Sequence, residues 1–209
     1  IGDLKLLQKF MLSGNKLNSL PDSISKCTNL ELLRITVNNL SSFPISLLSL
    51  PKLSWLAYSG NPFCKKHPDA KTKLQVINWN ELIIKELLGE GASGNIYKAI
   101  YNNMEVAIKI FKGEITSDGL PQEEMDINIS IGVHENLIDV LAQVSNHPQG
   151  KDVLMLELIS STFFNLGLPP SLDSCTRDVY LKDFKLSTQA SLKILKAMSS
   201  AAVHMHKRG

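Results

Sequence analysis

The sequence predicts two consecutive modules: an α/β repeat array, then an α+β domain that is strand-rich first and helical last. Two observations predict this order. A leucine-rich pattern returns three times at a fixed interval within the first 63 residues, and a set of strand-like segments around a glycine-rich turn precedes the long helical pattern near the end. The 209 residues are 44% apolar and 20% charged, an ordinary globular composition rather than a disordered one. With 22 basic and 20 acidic residues the formal net charge is only +2, which gives no sustained field for a polyanion and argues against a nucleic-acid partner. Apolar runs are short and interrupted, so none reaches the roughly 18 to 20 residues needed to span a bilayer. Cys27, Cys64 and Cys175 have no paired or metal-type spacing, and their odd count argues against a disulfide framework, as in a reducing, cytoplasmic compartment. The opening Ile1 and the absence of a charged segment followed by an apolar one read as an internal piece of a longer chain.

The first element is the repeat. Three segments match L-x-x-L-x-L-x-x-N-x-L: Leu7, Phe10, Leu12, Asn15 and Leu17; then Leu30, Leu33, Ile35, Asn38 and Leu40; then Leu53, Leu56, Tyr58, Asn61 and Phe63. Each starts 23 residues after the last. In such a pattern a short strand turns its apolar residues inward, while the Asn satisfies backbone groups of neighbouring turns. Pro21, Pro44, Pro51 and Pro62 would interrupt the long helices of the competing amphipathic-helix reading. The stretch resembles leucine-rich repeats, including Leu20-Pro21 and the closing Gly60 to Cys64; Phe43 before Pro44 is a mild departure. That resemblance implies a curved solenoid over residues 1–63. Its concave face would carry Lys9, Met11 and Ser13, then Leu32, Arg34 and Thr36, then Trp55, Ala57 and Ser59. Leu32 and Trp55 would be adjacent and exposed there, marking a surface for a protein ligand, unless Trp55 packs on the following linker.

Residues 64–78 are polar and basic, contain His67 and Pro68, and read as a linker. A strand-like run from Glu81 to Leu88 then leads into Gly89, Gly91 and Gly94, spaced as G-x-G-x-x-G. In a dinucleotide fingerprint these glycines would open a helix; here alternation of Ile96, Lys98 and Ile100 with Tyr97, Ala99 and Tyr101 predicts a second strand. Asn102-Asn103 supplies a turn, and the third strand contains Val106-Ala107-Ile108-Lys109. Glycines let a loop backbone approach phosphates, and a lysine on a rigid strand adds a fixed positive charge beside them.

Glycine loop and V-A-I-K together resemble the protein kinases. The resemblance implies that Leu88, Gly89, Glu90, Gly91, Ala92, Ser93, Gly94, Ile96 and Ala107 surround ATP and that Lys109 contacts its phosphates. It also makes the stretch from Gln122 to Leu141 a helix leading into the next strand, with a glutamate of that helix paired to the lysine; Glu124 is preferred, with Glu123 open because the distance from Glu124 to His134 is one residue longer than usual. His134, Asn136 and Leu137 match the H-x-N-[IL] turn, Leu156 the gatekeeper, and Glu157 to Ile159 the hinge that binds the adenine edge. The segment ending at His206 resembles the first long helix of the C-lobe.

The kinase domain would therefore span 79–209. The catalytic loop H-R-D-x-x-x-x-N and D-F-G do not occur in the chain, so the general base and the Mg²⁺ ligands are expected beyond Gly209 and the piece by itself is expected to be inactive. Receptor kinases of the plant type carry a membrane helix between repeats and kinase; residues 64–78 are too short and polar for one. The family points to serine/threonine substrates. The competing reading from a different class is a repeat scaffold with a pseudokinase that only binds proteins. A repeat-linked GTPase would need G-x-x-x-x-G-K-[ST], which does not occur.

Overall fold

A computed structural model describes residues 1–64, 74–113, 115–116, 118–169 and 179–208. Two compact units emerge: residues 1–66 with 115–120 and 165–182, and residues 67–114 with 121–164 and 183–209. His67, Pro68, Cys175 and most of the predicted linker lie outside the described residues.

In the first unit, strands β1 (Lys9–Met11), β2 (Leu32–Arg34) and β3 (Trp55–Ala57) form a parallel sheet in the order β1-β2-β3. Lys9 pairs with Leu32 and Leu32 with Trp55, so the register advances by the 23 residues of the sequence repeat. Short 3₁₀ turns, Asp22–Lys26 and Ile45–Ser49, lie between the strands. Each is preceded by a proline, Pro21 at φ −70° and Pro44 at φ −72°, where the missing N–H removes a donor that a helix start cannot satisfy internally. Ile24, Leu30, Leu33, Ile35, Leu40 and Leu47 fill the core, each fully buried side chain contributing about 2 kcal/mol.

The buried Asn side chains connect one turn to the next. Asn38 Oδ1 accepts from Leu17 N–H, and its Nδ2 donates to the carbonyls of Leu12, Ile35 and Thr36. Asn61 repeats the arrangement, accepting from Leu40 N–H and donating to Ile35 and Tyr58. Asn15 is exposed and bonds only within its own turn, to Leu12 and Ser13.

The expectation that Leu32 and Trp55 stand exposed side by side is corrected. They are register partners, but Leu32 is 5% exposed and Trp55 half-buried; Thr36 and Ala57 are buried too. Part of the strand face is covered within its own unit, while Met11 stays 57% exposed. Arg34 lies 5.4 Å over the Trp55 ring and ion-pairs through Nε with Asp118 at 2.8 Å, and Ser59 Oγ donates to the Asp118 carbonyl.

Among its described residues the second unit is a six-stranded mixed sheet with two α-helices. In chain order it contains β4 (Gln75–Asn78), β5 (Ile83–Glu90), β6 (Gly94–Tyr101), β7 (Met104–Phe111), helix α1 (Pro121–Ile131), β8 (Val140–Ser145), β9 (Val153–Glu157) and helix α2 (Thr188–Arg208). The sheet order is β4-β8-β9-β7-β6-β5, antiparallel except for the β4–β8 pair. Asn102 and Asn103 take φ of 47° and 64°, the left-handed pair that matches a two-residue hairpin to strand twist. The predicted strand 81–88 runs 83–90 instead, because the Asn78 N–H bonds to Glu81 Oε1 and Asn80 N–H to Asn78 Oδ1, folding residues 79–81 into a 3₁₀ turn. Residues 75–78, read as linker, are a strand whose partner lies 67 positions further along, Gln75 facing Ala142.

Alternation along β6, β7 and β9 divides the sheet into two faces. One is closed by Ala99, Tyr101, Val106, Ile108, Val153 and Met155. On the other, Phe111 and Leu154 pack against Met125 of α1. Gly132 at φ 67° ends α1 as a left-handed cap. His204 on α2 approaches the Ile131 carbonyl at 2.8 Å, and His134 meets Ser200 at 3.1 Å.

Candidate functional site

The α1 face of the sheet carries the residues that the sequence groups together. Antiparallel register places Ile96, Lys109 and Leu154 in one row across β6, β7 and β9, with Lys98, Ala107 and Leu156 in the next. Directly opposed residues share a face, so the expected phosphate-contacting lysine and two of the expected adenine contacts stand on one surface. Ala107 is buried, Ile96 and Leu156 are half-buried, and Leu88 and Ile159 are exposed at the margins. Leu88 falls at a bulge, where the pairing slips between Leu87 and Gly89.

Lys109 Nζ ion-pairs with Glu124 Oε1 of α1 and sits 4.8 Å from the Phe111 ring centroid. The Lys109 side chain is 14% exposed and that of Glu124 41%, so the pair is open on one side only. Helix phase explains why Glu124 rather than Glu123 makes this contact. Pro121 and Met125, four apart, are the buried residues of α1, and Glu124 adjoins that face. Asn128 donates to the Glu124 carbonyl, holding the same turn.

The glycine loop, residues 89–94, spans the end of β5 and the start of β6, and its three glycines differ in their surroundings. A Cβ on Gly94 would meet the Ile110 carbonyl oxygen at 2.5 Å, so only hydrogen fits there. Gly89 has nothing within 4 Å of that position and Gly91 only the Gly94 oxygen at 3.8 Å, which leaves space above the loop. The Gly91 N–H closes the tip by donating to the Gly94 carbonyl at 2.9 Å. Ala92 lies at this exposed tip and Ser93, half-buried, beside it.

Lys112, which sequence reasoning did not single out, reaches the loop from just beyond the end of β7. Its Nζ donates to Glu90 Oε1 at 2.7 Å and to the Gly91 carbonyl at 3.0 Å. The hydrogen bond and charge of Lys112 hold the Glu90 carboxyl below its ordinary pKa. The available signal was the opposite charge of the only acidic residue in the loop.

At the expected hinge, the Glu157 N–H donates to the Asp139 carbonyl at 3.0 Å and is committed to that bond. The H-x-N-L turn closes through Asn136 N–H to His134 Nδ1 and Leu137 N–H to the His134 carbonyl. Among the described residues no group of three His, Cys, Asp or Glu side chains is gathered to hold a metal ion. Among them, too, no helix is long and apolar enough to cross a membrane.

The chain is similar to serine/threonine protein kinases. It is 31% identical over 81 residues to serine/threonine-protein kinase mos of Atheris squamigera, covering 37% of this chain and 41% of that protein. A putative serine/threonine-protein kinase/receptor of Acanthamoeba polyphaga mimivirus is 30% identical over 133 residues, 61% of this chain and 8% of the relative. The probable serine/threonine-protein kinase gdt4 of Dictyostelium discoideum is 24% identical over 143 residues, 64% of this chain and 7% of that protein. No protein-family model matches. The chain thus spans less than half the length of these relatives, and its kinase-like character stands at that level. The mixed sheet with few helices fits a kinase-like N-lobe.

Proposed function

We propose that this chain carries the ATP-binding part of a serine/threonine protein kinase, residues 79–209, joined through residues 64–78 to a leucine-rich-repeat recognition module, residues 1–63. The observation that carries the nucleotide reading is the Lys109–Glu124 pair on the face below the glycine loop. When bound, ATP would supply the transferable phosphoryl group. Lys109 offers a fixed positive charge for its α- and β-phosphates, and Glu124 keeps that charge aimed rather than free to follow solvent. The room above Gly89 and Gly91 suits close approach by phosphate oxygens. Ile96, Ala107 and Leu88 provide the apolar walls for a base, with the backbone of Glu157 to Ile159 at its edge. Glu157 contributes its carbonyl oxygen, since its N–H is already used.

The motifs that would supply the Mg²⁺ ligands, the catalytic loop and D-F-G, do not occur in this sequence. Transfer to protein substrates by the whole protein, a cytoplasmic location and recognition of a protein ligand by the repeats belong to the same reading. The parallel strands at 23-residue register and the Asn bonds between turns support the repeat assignment.

Calorimetric titration of the 209-residue chain with ATP tests the core of the proposal. Wild type should bind, and Lys109→Met should weaken binding at least about tenfold, the loss of one charge-assisted contact. Absence of ATP binding by the folded wild-type chain, or equal affinity in the variant, would overturn it.

A further inference from the structure

We infer that Lys112 is a positioning residue for the glycine loop, tethering its backbone and shielding the Glu90 carboxylate from the phosphates of an incoming nucleotide. This rests on the nucleotide-binding reading above. Lys112 engages the loop three times. Its Nζ donates to Glu90 Oε1 at 2.7 Å and to the Gly91 carbonyl at 3.0 Å, and its N–H donates to the Ser93 carbonyl at 2.9 Å. Bonds to Glu90 and Gly91 on one limb and to Ser93 on the other fix the loop at both sides of its tip.

The tether answers a conflict in the loop's composition. Glycines are suited to phosphate because they leave the backbone accessible, but the same freedom lets the loop populate many other conformations. A residue at the end of a paired strand can restrict that freedom without placing a side chain over the site. Lys112 is so placed, directly after Phe111, which is fixed in register with Gly94.

The shield follows from charge. Glu90 lies within the loop, and an unpaired carboxylate there would repel a polyphosphate. Lys112 neutralises it and holds it ionised to lower pH than usual, so the pair persists across the neutral range. With side-chain exposures of 36% for Lys112 and 61% for Glu90, solvent screens the pair, and effects of a few-fold rather than hundreds are expected.

Two measurements on the full chain separate the roles. In the absence of nucleotide, Lys112→Met should raise amide hydrogen exchange across residues 89–95, where the Gly91 N–H is otherwise protected, while leaving residues 121–131 unchanged. In ATP titrations it should weaken affinity about three- to fivefold, and adding Glu90→Gln should restore affinity to within about twofold of wild type. Unchanged exchange would overturn the tether. An affinity loss that Glu90→Gln does not restore would overturn the shield and point to direct contact of Lys112 with phosphate. A wild-type chain that binds no ATP would defeat the nucleotide reading and the shield with it, while the exchange result still judges the tether.

Discussion

Asn38 and the Lys109–Glu124 pair are both polar groups set among apolar neighbours, and they differ in how completely their surroundings satisfy them. Asn38 is 4% exposed and makes four bonds to backbone groups of two successive turns. Lys109 has one carboxylate partner and an aromatic face, and its partner stays 41% exposed. A fully satisfied buried amide can only hold structure, because any competing ligand would have to break existing bonds. A cation with one partner and an open side retains capacity for a second anion. The difference between architecture and chemistry in this chain is thus a difference in residual hydrogen-bonding capacity.

The sharpest way to break that comparison is to treat equivalent asparagines alike. Asn38→Leu should destabilise the chain by about 2 to 3 kcal/mol, since it strands the Leu17 N–H and removes one donor from each of three carbonyls that keep another, from Asn15, Asn61 and the Gly14 N–H. Asn15→Leu, at the exposed equivalent, should cost under about 1 kcal/mol. Urea denaturation of the two variants checks the contrast, and equal losses would mean that inter-turn bonding is not what holds the array. Next in size comes the glycine loop. Gly94→Ala must displace the Ile110 carbonyl or part β6 from β7, costing about 1 to 3 kcal/mol, whereas Gly89→Ala meets no atom and should leave the denaturation midpoint nearly unchanged.

The smallest effect concerns pH. His147 packs edge-on against Trp79, and its Nδ1 accepts from the Gln149 N–H. Burial, with a smaller contribution from Lys151, lowers its pKa below the ordinary 6.5. The folded chain therefore resists protonation that the unfolded chain accepts. Stability from this group is full above pH 6.5 and declines as pH falls through that value toward the lowered one. Melting temperatures between pH 7.5 and 5 should fall less steeply in His147→Gln than in wild type; parallel curves would show that the histidine is not coupled to folding.

Much of this arrangement was legible because it is local. The 23-residue spacing gave the strand register of the first unit, and Asn102-Asn103 between alternating runs gave the β6–β7 hairpin. What escaped was non-local. Gln75–Asn78 is four residues long, too short to display a period, and is a strand only because β8 lies beside it. Leu32 matched the outward position of its template, yet no template states what covers that face; Asp118, 84 residues from Arg34, contributes to doing so. The choice between Glu123 and Glu124 waited on helix phase, which the burial of Pro121 and Met125 fixes.

One position in the first unit ties successive turns together in a different way. Gly14, Val37 and Gly60 recur at the repeat interval, all with left-handed backbone, φ 70°, 51° and 71°. A β-branched residue in that conformation is strained, and Val37 is held there by the bonds of its neighbour Asn38. Its Cγ2 occupies the space beside Gly60, where an added Cβ would stand 3.0 Å away. The tolerance of one turn for a side chain therefore depends on which residue the adjacent turn carries. Substitutions at Val37 and Gly60 cannot be ranked independently of each other, whereas a Cβ added at Gly14 meets nothing within 4 Å and that turn is limited by its left-handed backbone alone.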